Sequence, residues 1–136
     1  MKTINNNIEE QTVGFDNAKL LKEKGFDVVT KGLFFDGEFD GELNSTVEAK
    51  NSDFESSRYF SAPTQQVAID WIWINFGIHI EIQHDGTFSH FTYKLCKLNK
   101  NNIKTEPHYL HPFGEGFHTP EEAKEATINY VLTKLI

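Results

Sequence analysis

The sequence predicts a small α+β domain, an antiparallel sheet of hairpins packed by about three helices, and three observations lead there. Three segments repeat apolar residues at helical spacing, one alternates them at strand spacing, and Asp-Gly pairs offer tight turns between apolar runs. The 136 residues suit one core, and a hydrophobic content of 38% with 12 Phe gives it enough material to fold without staples. Residues 1–12, rich in Asn, Gln and Glu without periodicity, read as a flexible leader, and residues 13–136 as the single domain.

The first helix is expected over Phe15–Lys24, from Phe15, Ala18, Leu20 and Leu21, with Gly25 as its stop and Phe26 folding back. A β-rich stretch follows over Asp27–Ala49, carrying Val28, Val29, Leu33, Phe34, Phe35 and Phe39. Asp36-Gly37 and Asp40-Gly41 are equally good turns there, and they give different registers, so the pairing stays open. Asn51–Ser61 reads as a polar loop. From Pro63 to Phe76 a second helix places Val67, Ala68, Trp71, Ile72 and Phe76 on its buried arc, opposite Gln66, Asp70 and Trp73, and Gly77 ends it.

Beyond Gly77 the period changes, with Ile78, Ile80 and Ile82 alternating with His79, Glu81 and Gln83. A two-residue Asp85-Gly86 turn would pair Ile80 with Phe91, Ile78 with Tyr93, Ile82 with Ser89 and Glu81 with His90. A further strand near Ile103–Thr105 is confined to an edge or ended by Pro107. After an aromatic, glycine-bearing loop, Thr119-Pro120-Glu121-Glu122 forms a capping box for a last helix buried through Ala123, Thr127, Ile128, Val131, Leu132 and Leu135.

Charge separates along the chain. The net value is -7, and between Asp36 and Glu55 seven acids face the single base Lys50, giving -6 locally. Lys94, Lys97, Lys100 and Lys104 form a run without an acid, so the surface is expected to be two-sided. An acidic whole disfavours direct nucleic-acid binding, although that Lys run with Tyr93 or Tyr109 stacking is the place where RNA would touch. No apolar run is long enough to span a bilayer and no secretory pattern opens the chain, which predicts a cytoplasmic protein without a membrane partner. Cys96 stands alone, excluding an internal disulfide or a thiolate zinc cluster.

The segments SAPTQQVAIDWIWINFGIHIEI, Ser61–Ile82, and FHTPEEAKEATINYVLTKLI, Phe117–Ile136, resemble a family of short uncharacterised proteins encoded by phages and prophages of Bacteroidetes. That family pairs an APTQ-type helix start with a Trp, a Gly-Ile-His-Ile strand and a terminal EEA helix, and it supplies no catalytic motif. Where its members follow the first Trp with an apolar residue and then charged ones, this chain has Ile72, Trp73, Ile74 and Asn75. The resemblance implies a phage-encoded protein acting in the host cytoplasm, in the manner of small acidic inhibitors of host defence enzymes such as anti-CRISPR proteins.

Candidate chemistry is thin. His108, His111 and His118 lack a zinc-ligand spacing, and Asp36, Glu38, Asp40 and Gly41 begin like a calcium loop but place Val47 where a bidentate Glu is required. Glu81 opposite His90 is read as an ordinary cross-strand pair, and Cys96, between Leu95 and Leu98, as a small buried hydrophobe. Neither a catalytic residue nor a metal or other cofactor is therefore assigned; a small metal- or His-dependent enzyme is the alternative. The expected function is non-enzymatic binding. Asp36, Glu38, Asp40 and Glu42 form the acidic docking surface for a host protein with a basic surface. Trp73 and Ile74 add an apolar contact that would otherwise join two copies as a structural homodimer.

Overall fold

A computed structural model describes residues 4, 10–40, 48–54, 57–85, 90–99, 102–108 and 116–136. The first helix, α1 (Phe15–Glu23), buries Asn17, Ala18 and Leu21. Its end is a Schellman stop: Gly25 takes φ 95°, Gly25 N donates to Lys22 O and Phe26 N to Leu21 O at 2.9 Å. Phe26 thereby folds back under the helix and is fully buried.

The hairpin question is settled at Asp36-Gly37. With φ 52° and 82° the pair makes a type I′ turn joining β1 (Gly32–Phe35) to β2 (Glu38–Asp40), so Phe34 meets Phe39 and Phe35 meets Glu38. The ring of Phe39 lies across Gly32, where an added Cβ would come within 2.8 Å of it. One expectation fails nearby. The supposed polar loop contains a strand, β3 (Tyr59–Ala62), because Phe60 and Tyr59 pair with Phe34 and Phe35 on the far side of β1. The first sheet is thus β2-β1-β3.

Helix α2 (Gln65–Phe76) starts two residues later than the proline suggests, since Thr64 is the N-cap and its hydroxyl accepts from Val67 N, leaving Pro63 outside. Ala68 and Ile72 are fully buried, and Gly77 closes the helix in the left-handed conformation. The second sheet, ordered β4-β5-β6, comprises β4 (Ile78–Asp85), β5 (His90–Asn99) and β6 (Asn102–His108), with Pro107 on the edge strand as expected.

The β4–β5 register differs from the sequence expectation. Ile80 meets Leu95 rather than Phe91, Ile78 meets Lys97 rather than Tyr93, Ile82 meets Tyr93 rather than Ser89, and Glu81 meets Lys94 rather than His90. The strands run on to Asp85 and His90, which face each other in register where the expected turn would pair His84 with residue 87; residues 86–89 lie outside the described residues. Burial decides it, because this register gives the buried Leu95 a buried partner, Ile80. The displacement is even, so every side chain keeps its face.

Helix α3 (Pro120–Tyr130) is capped by Thr119, whose hydroxyl accepts from Glu122 N, but the Glu122 carboxylate reaches His118 N rather than closing a reciprocal box. A π turn over Val131–Leu135 extends it, keeping Val131 and Leu132 buried. Helix α1 packs on β3 and on α3, while α2 and α3 cover the second sheet. One carboxylate ties the three helices together. Glu125 accepts from Gly14 N at 2.6 Å, Asn17 Nδ2 at 2.8 Å and Gln65 Nε2 at 3.0 Å. Gln11 and Thr12, at the end of the expected leader, bond or bridge to Gln65 and Thr64; residues 1–3 and 5–9 lie outside the described residues.

Candidate functional site

The two strands of the hairpin alternate their side chains, and this sorts the aromatic residues of the first sheet into two sets. Phe34, Phe39 and Phe60 share the face toward α1, where Phe34 and Phe60 each meet Phe15 edge to face with ring centroids 5.5 Å apart. Phe35 and Tyr59 share the other face. There the rings form a continuous row, Phe35 to Tyr59 at 4.7 Å and Tyr59 to Phe54 at 4.8 Å.

The row is fixed from behind. Asn51 is buried; its amide donates to Phe26 O at 2.7 Å and its side-chain oxygen accepts from Ser61 N at 2.8 Å, stapling the 50–54 segment against β3. Asp27 accepts from Ser52 N at 2.7 Å. That backbone donor, with the Ser52 hydroxyl second, holds the Asp27 carboxyl below the usual carboxylate range.

Of the acids expected to dock a partner, Glu38 and Asp36 flank Phe35, the last ring of this row among the described residues. Glu38 is exposed and stands directly across the strands from Phe35, which is 39% exposed. Asp36, in the turn, holds Arg58 at 3.5 Å in a solvent-exposed ion pair. Asp40 ends β2 opposite Leu33, and Glu42 lies outside the described residues. On the opposite face Phe39, 52% exposed, and Val29 border a depression of about 320 Å³ that Val67 of α2 helps to line.

Trp73 is 40% exposed, as the helical wheel anticipates, and Ile74 beside it is 72% exposed. The Trp73 ring meets His79 edge to face at 6.0 Å and lines a groove of about 270 Å³ with Ile69, Asp70, Ile82 and Lys124. Val67 faces the hairpin side of α2 and Trp73 the β4 side, so the structure does not bring the acidic hairpin and Trp73 into one surface.

Other candidates disperse. Glu81 opposes Lys94, while His90 is opposite Asp85 in register and its ring lies 5.4 Å from that of His118. Cys96 is only half-buried and pairs across the strands with His79. Tyr93 sits opposite Ile82 on the core side and is partly buried there, where burial and then Tyr130 push its phenol above its ordinary range. His111, Tyr109 and Lys100 lie outside the described residues, as does the side chain of His108. Among the described residues no group of three His, Cys, Asp or Glu is placed to hold a metal ion, and no helix is long and apolar enough to cross a membrane.

Sequence reasoning missed the aromatic row, since Phe54, Tyr59 and Phe60 looked like scattered residues of a loop. Adjacent Phe34 and Phe35 were the available signal, because two neighbouring aromatics in a strand must face opposite ways. What these features define is an α+β domain with an acidic, aromatic sheet face. No family model, curated protein or solved structure matches the chain.

Proposed function

We propose that this chain is a non-enzymatic binding protein of phage or prophage origin that docks a basic surface on a host protein and inhibits it. The first sheet is the docking face, and the target belongs to the class that handles nucleic acid, whose phosphate-binding grooves are basic. One observation carries the reading: Glu38 and the partly exposed Phe35 are direct cross-strand neighbours at the end of a fixed aromatic row. Buried rings and rim charges are the usual division of labour at an interface, rings supplying affinity and charges steering the encounter.

Affinity capture from a bacterial lysate, at low and at high salt, tests it. The native chain is expected to retain a stoichiometric host protein whose yield falls as salt screens the acidic face. Reversing Asp36, Glu38, Asp40 and Glu42 together to Lys should weaken capture by at least about ten-fold. The single change Glu38→Lys, which leaves the turn intact, should give part of that loss. Capture that ignores both variants sinks the docking face.

The exposure of Trp73 and Ile74 favours a second reading, self-association through α2. It predicts a dimer mass by light scattering that Trp73→Glu converts to a soluble monomer. A native chain that is monomeric at all accessible concentrations removes this reading.

A further inference from the structure

The row of rings specifies what kind of cation its partner presents. Phe54 and Tyr59 are nearly parallel, with 15° between their planes, and Tyr59 and Phe35 follow at 33°, so the three rings build a column across the sheet. Phe35 is its terminal member and the exposed one. Its cross-strand neighbour on the open side is Glu38, at a spacing that keeps ring and carboxylate within one side chain's reach.

We infer, building on the docking face proposed above, that this end of the column takes an arginine side chain from the partner, with the guanidinium lying on Phe35 and its N–H edge turned to Glu38. A guanidinium is flat and weakly hydrated, so it can extend a ring stack and still pair with a carboxylate through its edge. A lysine ammonium is a compact, strongly hydrated charge, and it can satisfy the carboxylate but gains little from the ring. The chain itself shows the chemistry at this corner, since Asp36, next to Phe35, already engages the Arg58 guanidinium at 3.5 Å. Charge complementarity points the same way: Asp36–Glu55 carries seven acids against one Lys. Nucleobases also stack on rings, but their phosphates would have to approach this acidic segment.

Labelled oligo-arginine and oligo-lysine peptides of equal length, titrated into the full chain at physiological ionic strength, separate these cases by fluorescence anisotropy. Oligo-arginine is expected to bind about three- to five-fold more tightly. In Phe35→Leu, which keeps apolar bulk in the strand, oligo-arginine affinity should fall to that of oligo-lysine; in Glu38→Gln both peptides should weaken. Equal affinities for the native chain, or a preference that survives Phe35→Leu, overturn the arginine assignment and leave the acidic docking face standing. If neither peptide binds, or a single-stranded oligonucleotide binds more tightly than both, the assignment also falls. The docking face fails separately, when lysate capture ignores the charge reversals.

Discussion

Glu125→Ala is expected to destabilise the domain by about 2–3 kcal/mol, read as a shift in the urea midpoint at constant slope. The carboxylate is the point where α1, α2 and α3 meet, and its removal takes the acceptor from Gly14 N, Asn17 Nδ2 and Gln65 Nε2 at once. Hydrogen bonds to an ionised group are worth about 1.5–3 kcal/mol each, so a naive sum would be larger. Two of the donors keep a second acceptor, however: Asn17 Nδ2 retains the backbone oxygen of Glu125 at 2.9 Å, and Gln65 Nε2 retains Glu121 O at 3.0 Å. Alanine also returns a few tenths of a kcal/mol through its helix propensity. Glu125→Gln should fall between, since one amide oxygen still accepts while its NH2 is turned toward donors. A loss under about 0.5 kcal/mol, the range of ordinary surface changes, would mean that water takes over the acceptor role.

Glu125 also marks the boundary of what the sequence reveals. Its partners lie 111, 108 and 60 residues away, and nothing local distinguishes it from Glu121 or Glu122 in the same helix. Features set by neighbours in sequence were legible. The Gly25 stop with Phe26 folded back, the Thr119 cap and the Gly77 terminus each follow from backbone conformations that a few adjacent residues decide. Strand pairing is another matter. Asp85-Gly86 is a sound local turn signal, but burying Leu95 against Ile80 outweighs it.

The same division runs through the candidate site. The exposure of Trp73 follows from the helical wheel, and that of Glu38 follows from alternation once the turn is fixed at Asp36-Gly37. What alternation alone does not supply is the third strand. Without β3 paired to β1, Tyr59 has no reason to stand beside Phe35, and the acidic hairpin remains a set of solvated charges. The separation of Trp73 from the hairpin is likewise a consequence of packing, with α2 presenting Val67 to one side and Trp73 to the other.

Phe26→Ala should be the most damaging single truncation, about 3–5 kcal/mol. The ring is 1% exposed and meets Trp71 edge to face at 5.4 Å, so its loss opens a cavity lined in part by an indole that is itself only half-buried. The same residue is the second anchor of the α1 stop, through its N–H to Leu21 O at 2.9 Å, and its carbonyl accepts from Asn51 Nδ2 at 2.7 Å. These backbone bonds survive truncation in principle, but the packing that holds Phe26 in place does not. Loosening Phe26 therefore loosens Asn51, and with it the 50–54 segment that positions Phe54 on Tyr59. Phe26→Leu, which refills most of the volume, should cost about 1–1.5 kcal/mol. Urea denaturation followed by Trp fluorescence reports both, because Trp71 is the partner ring. A loss below about 1.5 kcal/mol in Phe26→Ala would show that α2 collapses onto the vacated space, and the aromatic row would then not depend on this residue.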